Sequence, residues 1–304
     1  MCMKLRWRAM NCLLLCGVLV WFLSDAGTIR QSASEALSLC GRSVIPALFP
    51  FLVVSSLLLG PGFGELVAPW LAGFMEPLFR LPGAASSALL LGIVGGYPIG
   101  AATAAQLHRD GTLTQDEARR LLTFCNNSNP VFFLSVLGVG IFGSVRAGVW
   151  LWLIHLLSAL LTGLLFRGDG KTAARRPLAR ASASPLSFST LFVRAVKDSA
   201  AGMLSVCAFV TFFYVAAKPL AGLGRLGMVL TGALELFSLT PLLTPDRFGF
   251  IVAAAMSGWG GLSVLCQTAA VLEGSGLRPS VAGKAVQGLL SAALAALLSG
   301  YVLA

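Results

Sequence analysis

The chain has 304 residues, 57% hydrophobic and only 11% charged, with a mean hydropathy of +0.85 and a formal net charge of +10. Soluble domains carry roughly 25% charged residues, so there are too few polar side chains to cover a water-exposed surface of this size. The composition excludes an ordinary soluble domain and points to a polytopic, all-α transmembrane bundle. A β-barrel does not fit, because the apolar runs are long and rich in Leu, Ala and Gly rather than alternating. The basic excess follows the positive-inside bias, which makes the lipid bilayer, not nucleic acid, the expected partner.

In chain order, Lys4, Arg6 and Arg8 precede an apolar run over 7–24. This run reads as a transmembrane anchor within 1–29. Ser24 and Ala26 also stand where a signal peptide would be cut, and both readings stay open. Further apolar segments cover 36–60, 66–80, 84–107, 121–143, 146–166, 188–217, 221–240, 247–273 and 281–303. About 20 helical residues are needed to cross a ~30 Å hydrocarbon core. Segment 66–80 is short and carries Glu76-Pro77, 221–240 is interrupted by Gly227 and Gly232 and carries Glu235, and 121–143 contains "CNNSNP" near its start. These three are predicted to be half-helices or re-entrant hairpins.

Arg42 lies between two apolar stretches, as an internal cation or a snorkelling one. Glu76 and Glu235 stand in short apolar segments. A carboxylate inside a bilayer costs roughly 2.5–3.5 kcal/mol on insertion scales. Each is a candidate for coupling or substrate contact, or else lies at the headgroups. "GIVGGYPIG" at 92–100 interrupts an apolar run. Pro98 removes a donor, and Gly95, Gly96 and Gly100 around Tyr97 permit non-helical backbone. The freed peptide groups must meet protein, water or a ligand, unless the glycines only allow close packing. Thr103 follows as a hydrogen-bonding candidate.

His108 reads as a loop residue. The amphipathic "TQDEARRLLTF" opens with Thr114 and Glu117 at capping-box spacing. It leads to "CNNSNP", where Asn126, Asn127, Ser128 and Asn129 precede Pro130 and an apolar run. That is a helix N-terminus signature, and such an end favours anions. His155, alone among apolar residues, is expected to make a helix-packing hydrogen bond.

Arg167, Lys171, Arg175, Arg176 and Arg180 fill a polar linker over 167–187, opposed by Asp169 alone. The two sides of this linker resemble each other weakly. "AGFMEPLFRLPG" matches "TGALELFSLTP", which places Glu76 opposite Glu235. "VGGYPIGAATAAQLHRDGTLT" matches "SGWGGLSVLCQTAAVLEGSGLRP", which places Gly95-Gly96 near Gly260-Gly261 and Thr103 near Gln267. Ser263 and Gln267 join the candidate site. If both basic regions face the cytoplasm, an odd number of crossings separates residues 30 and 187, so the two halves form inverted repeats, as in many secondary transporters. The seven cysteines, Cys2, Cys12, Cys16, Cys40, Cys125, Cys207 and Cys266, form no CxxC pair. No catalytic, phosphate-binding or metal motif is present, so neither enzyme activity, nor a cofactor, nor a metal is expected.

"GGYPIGA", "LHRDGTLTQDEARRLLTFCNNSNPVFFLSVLGVGIFG" and "GGLSVLCQ" resemble the sporulation integral membrane proteins of the YlbJ type, within the nucleoside-recognition (Gate) domain family. The resemblance is specific over about 92–143 and weaker over 231–280. It implies a spore-forming Firmicute source and passage of dipicolinic acid across the outer forespore membrane. It also implies a first Gate-like repeat with a connecting span at 30–166, a basic cytoplasmic linker at 167–187 and a second Gate-like repeat at 188–304. A nucleoside as substrate, or a scaffold that moves nothing, are the alternatives. A small anionic substrate and the bilayer are the expected partners, with a homo-oligomer or other sporulation membrane proteins compatible.

Overall fold

Inside a bilayer every peptide group must find its partner within the protein, and this chain answers with helices. The computed structural model describes residues 2–59, 63–168, 187–272 and 276–303, and among them there is no β-strand. Most of the basic linker, with Lys171, Arg175, Arg176 and Arg180, lies outside the described residues, as do the side chains of Lys4, Arg6 and Arg8.

The helices are α1 (Cys2–Ser24), α2 (Ala26–Leu39), α3 (Ile45–Leu59), α4 (Phe63–Phe79), α5 (Ser86–Gly95), α6 (Ile99–Arg109), α7 (Gln115–Leu121), α8 (Val145–Leu165), α9 (Phe188–Ala217), α10 (Gly224–Leu234), α11 (Leu236–Leu239), α12 (Arg247–Trp259), α13 (Gly261–Leu272) and α14 (Arg278–Val302). Cys40–Val44 and Phe132–Ile141 are wound as π-helix. Among the described residues, Val145–Leu165, Phe188–Leu234, Arg247–Leu272 and Arg278–Val302 are long and apolar enough to cross a membrane. Two helix pairs, Ala9–Ser24 with Ala26–Val44 and Leu66–Phe79 with Gly83–Gly95, are bent by 92° and 98°, and each is either a broken span or a re-entrant loop. Trp70, Leu289 and Leu297 are exposed on this bundle, where lipid would cover them.

Cross-links define the two ends. At one end Arg120 Nη1 donates to the carbonyls of Phe79, Arg80 and Arg167 at 3.3, 3.1 and 2.8 Å. The end of α4, the helix α7 and the end of α8 therefore meet there. At the other end Arg146 Nη2 donates to Tyr301 O at 2.7 Å and Arg247 Nη2 to Ala296 O at 3.2 Å. This joins the starts of α8 and α12 to the end of α14. α8 and α12–α13 thus run towards the Arg120 end and α14 runs away from it.

Two segments enter and turn back. α5 and α6 have 10 and 11 residues, about 15 and 16 Å of rise, half of what a crossing needs. They lie side by side. Ala85 and Ala88, at the start of α5, share a core cluster with Leu113, Leu121 and Leu122, which follow α6. This hairpin enters from the Arg120 end and turns at Gly96, Tyr97 and Pro98. Gly96 has φ +85°, a left-handed value that favours glycine. The other hairpin starts where Arg225 stacks on Phe248, 4.9 Å from the ring centroid. α10 ends at Leu234, Glu235 is extended, and α11 and a 3₁₀ turn (Thr240–Leu242) lead back to the start of α12. It enters from the Arg146 end.

Each hairpin precedes a broken span. In the first, the chain leaves the short charged helix α7 and runs through a non-helical stretch at 126–129 into the apolar π-helix. In the second, α12 passes through Gly260, at φ +84°, into α13. Each broken span is followed by an unbroken one, α8 and α14 respectively. The sequence similarity sets Gly95-Gly96 beside Gly260-Gly261, but in the fold Gly96 lies at the turn between α5 and α6 and Gly260 at the break between α12 and α13. Glycine relieves left-handed backbone in either kind of break, so the glycine pairs match by composition and not by position. Glu76 sits in α4, which continues through Pro69 and Pro77 and is one arm of the 98° bent pair with Gly83–Gly95, as its short apolar segment predicts.

Candidate functional site

The four interruptions meet. Gly92 and Gly100 clear a slot on the first hairpin, because a Cβ at either would collide with the Cys125 carbonyl. Gly283 of α14 does the same for Thr123 O. The non-helical stretch thus lies between the first hairpin and α14. Upstream, the expected capping box forms and fixes where the stretch begins. Thr114 Oγ1 accepts from Glu117 N at 3.2 Å and Glu117 Oε2 accepts from Thr114 N at 2.7 Å. Downstream, Asn129 Oδ1 accepts from Phe132 N at 2.9 Å and caps the helix that Pro130 opens, as its sequence predicts.

The tip of the first hairpin touches the break of the second span. Tyr97 OH donates to Ser257 O at 2.8 Å, and a Cβ on Gly260 would lie 3.5 Å from that hydroxyl. A Cβ on Gly261 would lie 3.3 Å from Glu235 Cα, so the second tip closes on the same break. Between them is a cavity of about 20 Å³ lined by Gly96, Tyr97, Ser128, Asn129, Glu235 and Gln267, together with the apolar Leu48, Phe132, Val206, Leu236, Phe237 and Val264. That volume holds about one water.

The polar wall is buried, and part of it is unpaired. Asn129 is 1% exposed, and its Nδ2 has no partner. Asn126 Nδ2 donates to Thr268 Oγ1 at 2.9 Å, while its Oδ1 has none. An unsatisfied buried polar group costs about 1–3 kcal/mol, and of these two amides only Asn129 lines the cavity. Glu235 is 1% exposed. Its Oε2 accepts from Ser238 N and from Ser238 Oγ, capping α11. Among the described residues, no Lys or Arg nitrogen lies within 4.0 Å of it.

The remaining candidates fall into two groups. Asn127 joins the network by donating to Phe124 O at 2.8 Å and accepting from Gln287 Nε2 at 3.1 Å. Gln267 lines the cavity and donates to Ser263 Oγ at 3.3 Å. Ser128 N donates to His155 Nε2 at 3.2 Å, the packing bond expected of that histidine. By contrast, Gly95 packs on Ile99 and Ser55, and Thr103 Oγ1 donates within its own helix to Ile99 O at 2.9 Å. Arg42 is exposed on the first π-helical turn and Glu76 is half-buried on α4; neither lines the cavity. His108 is not in a loop but in the last turn of α6, with Nδ1 3.1 Å from Leu113 O.

Sequence reasoning missed Lys284 and Gln287 on α14. Lys284 is 2% exposed. Its Nζ donates to Gln287 Oε1 at 2.9 Å, contacts Tyr97 OH at 3.5 Å and lies 4.8 Å from the centre of the Tyr97 ring. The signal was available: "AGKAVQGLL" puts a cation and an amide three residues apart on one helix face inside an apolar run.

The comparisons agree with the resemblance drawn from the sequence motifs. The Gate family, described as nucleoside recognition, matches residues 42–145. The chain is 28% identical over 337 residues to the sporulation integral membrane protein YlbJ of Bacillus subtilis (strain 168), covering 95% of this chain and 83% of that protein. No solved structure matches. The chain is thus similar to a sporulation integral membrane protein and is itself an integral membrane protein with a Gate-like region.

Proposed function

We propose that this protein carries a small organic anion across the membrane, with dipicolinate at the outer forespore membrane as the candidate substrate. The two halves are read as inverted repeats, since hairpins that enter from opposite ends and broken spans that run in opposite directions are what such repeats produce. One observation carries the proposal: four interrupted segments converge on one internal cavity, largely apolar in its lining, with the buried Glu235 and the unpaired Asn129 Nδ2 at its wall. A scaffold would turn its polar groups towards a partner or water.

The cavity holds about one water, so transport requires the hairpin tips to part. Each tip is a short re-entrant segment, which makes it the element best suited to move as a gate. Opening would free the amides of Asn129 and Gln267 to replace hydration of a planar ligand. Glu235 would then face the substrate and is the position for proton coupling. The similarity to the Gate family favours a nucleoside as the second reading.

The test is uptake of dipicolinate by liposomes containing the purified full-length protein, with uridine in a parallel arm. Accumulation of dipicolinate above protein-free liposomes is expected. Uptake of uridine alone would transfer the site to nucleosides, and uptake of neither would end the transport proposal.

A further inference from the structure

Lys284 is the only Lys or Arg among the described residues that is fully buried. Among the described residues, no carboxylate lies within 4.0 Å of its Nζ. A buried cation without a counter-charge is costly, and two neighbours offset only part of that cost, the Gln287 carbonyl and the face of the Tyr97 ring. Along α14 it stands six residues past Arg278, about 9 Å of helix rise from the basic end of the bundle.

Tyr97 is the partition. One side of this residue lines the cavity, and its ring and hydroxyl cover Lys284. The Tyr97 hydroxyl is bound to Ser257 O, beside the break in the second span. It sits at the tip of a hairpin whose neighbours Gly96 and Pro98 are non-helical. A shift of that tip therefore changes what stands between the amine and the cavity.

We infer that Lys284 is the cationic contact for a carboxylate of the substrate, and that Tyr97 is the hatch between the two. The assignment rests on the anion reading of the site and deepens it. An ammonium and a carboxylate stabilise one another's charged forms when both leave water. A carboxylate admitted past Tyr97 would supply the missing counter-charge, while the Asn129 and Gln267 amides meet its polar edge. With Glu235 protonated, Lys284 offsets one of the two negative charges of a dicarboxylate, and the amides of Asn129 and Gln267 meet the other end.

The experiment compares pyridine-2,6-dicarboxylate with its neutral isostere pyridine-2,6-dicarboxamide in liposomes carrying wild type, Lys284→Arg, Lys284→Gln or Lys284→Met. Gln keeps a donor for Gln287, and Met keeps the volume. Wild type is expected to prefer the dicarboxylate. Both neutral variants should lower the dicarboxylate-to-dicarboxamide flux ratio at least tenfold, and Lys284→Arg should hold it within about threefold. The ratio separates charge recognition from a structural role, because a misassembled pathway loses both fluxes together. An unchanged ratio in both neutral variants, or loss of both fluxes in both, overturns the assignment of Lys284 and leaves the transport proposal standing. Wild type that passes no dicarboxylate overturns both.

Discussion

Gly92 and Gly100 matter because of what they leave out. Each faces the Cys125 carbonyl at a distance no Cβ tolerates, and a backbone is less able to yield than a side-chain tip. Gly100→Ala is expected to destabilise the protein by about 1–3 kcal/mol through overpacking. Gly17→Ala, where a Cβ meets nothing within 4 Å, should leave stability within about 0.5 kcal/mol. Denaturant or thermal unfolding in detergent measures both. Glu235 poses a different question, since a carboxylate in the cavity wall would repel an anion unless it takes up a proton. Glu235→Gln retains an acceptor for Ser238 and is expected to flatten the pH dependence of uptake. Glu76→Gln, outside the cavity, should leave it intact. Uptake measured across pH for both variants decides this, and pH dependence unchanged in both removes coupling from Glu235.

At the scale of elements, helix ends do much of the positioning. Asp246 caps α12, accepting from Gly249 N at 2.7 Å and from Thr244 Oγ1 at 2.9 Å. The Gly249 N–H first, and then the Thr244 hydroxyl, hold its carboxyl below the usual carboxylate range. A carboxyl whose folded pKa lies below its unfolded value stabilises the fold fully above the unfolded value, about pH 3.9. That contribution fades as pH falls through the folded value. Asn caps comparably without titrating. Asp246→Asn should therefore match wild type near pH 7 and lose less thermal midpoint between pH 5 and 3, in melts recorded at each pH. The hairpins were only partly legible at this scale. Segment 221–240 announced itself by Gly227, Gly232 and Glu235. Segment 84–107 showed its break at 92–100 but not its fold, because its 24 residues suffice for one broken crossing until the packing of α5 on α6 shows it turned back on itself.

For the whole molecule, the charge pattern and the end contacts make a joint statement. Arg80, Arg109, Arg119, Arg120 and Arg167 gather at the end from which the Lys- and Arg-rich linker leaves. α8, 21 residues long, separates that end from Arg146 by about 31 Å. The positive-inside bias assigns the basic end to the cytoplasm. With the native cysteines replaced by serine, Thr244→Cys should react with a membrane-impermeant maleimide in intact cells. Gly168→Cys should react only after permeabilisation. The reverse pattern would invert the assigned orientation.

Composition alone determined that this chain lives in a bilayer, since 11% charge cannot clothe a soluble surface. Local chemistry determined the Thr114–Glu117 capping box, the Asn129–Pro130 helix start and the Gly96 and Gly260 breaks, because each depends on residues within a few positions. Tertiary structure decided which breaks meet at one cavity, which carboxylate is internal and that Lys284 stands behind Tyr97. Those facts join residues up to 187 positions apart. A short apolar segment carries the same local pattern whether it crosses, turns back or lies along another helix, and only packing distinguishes these.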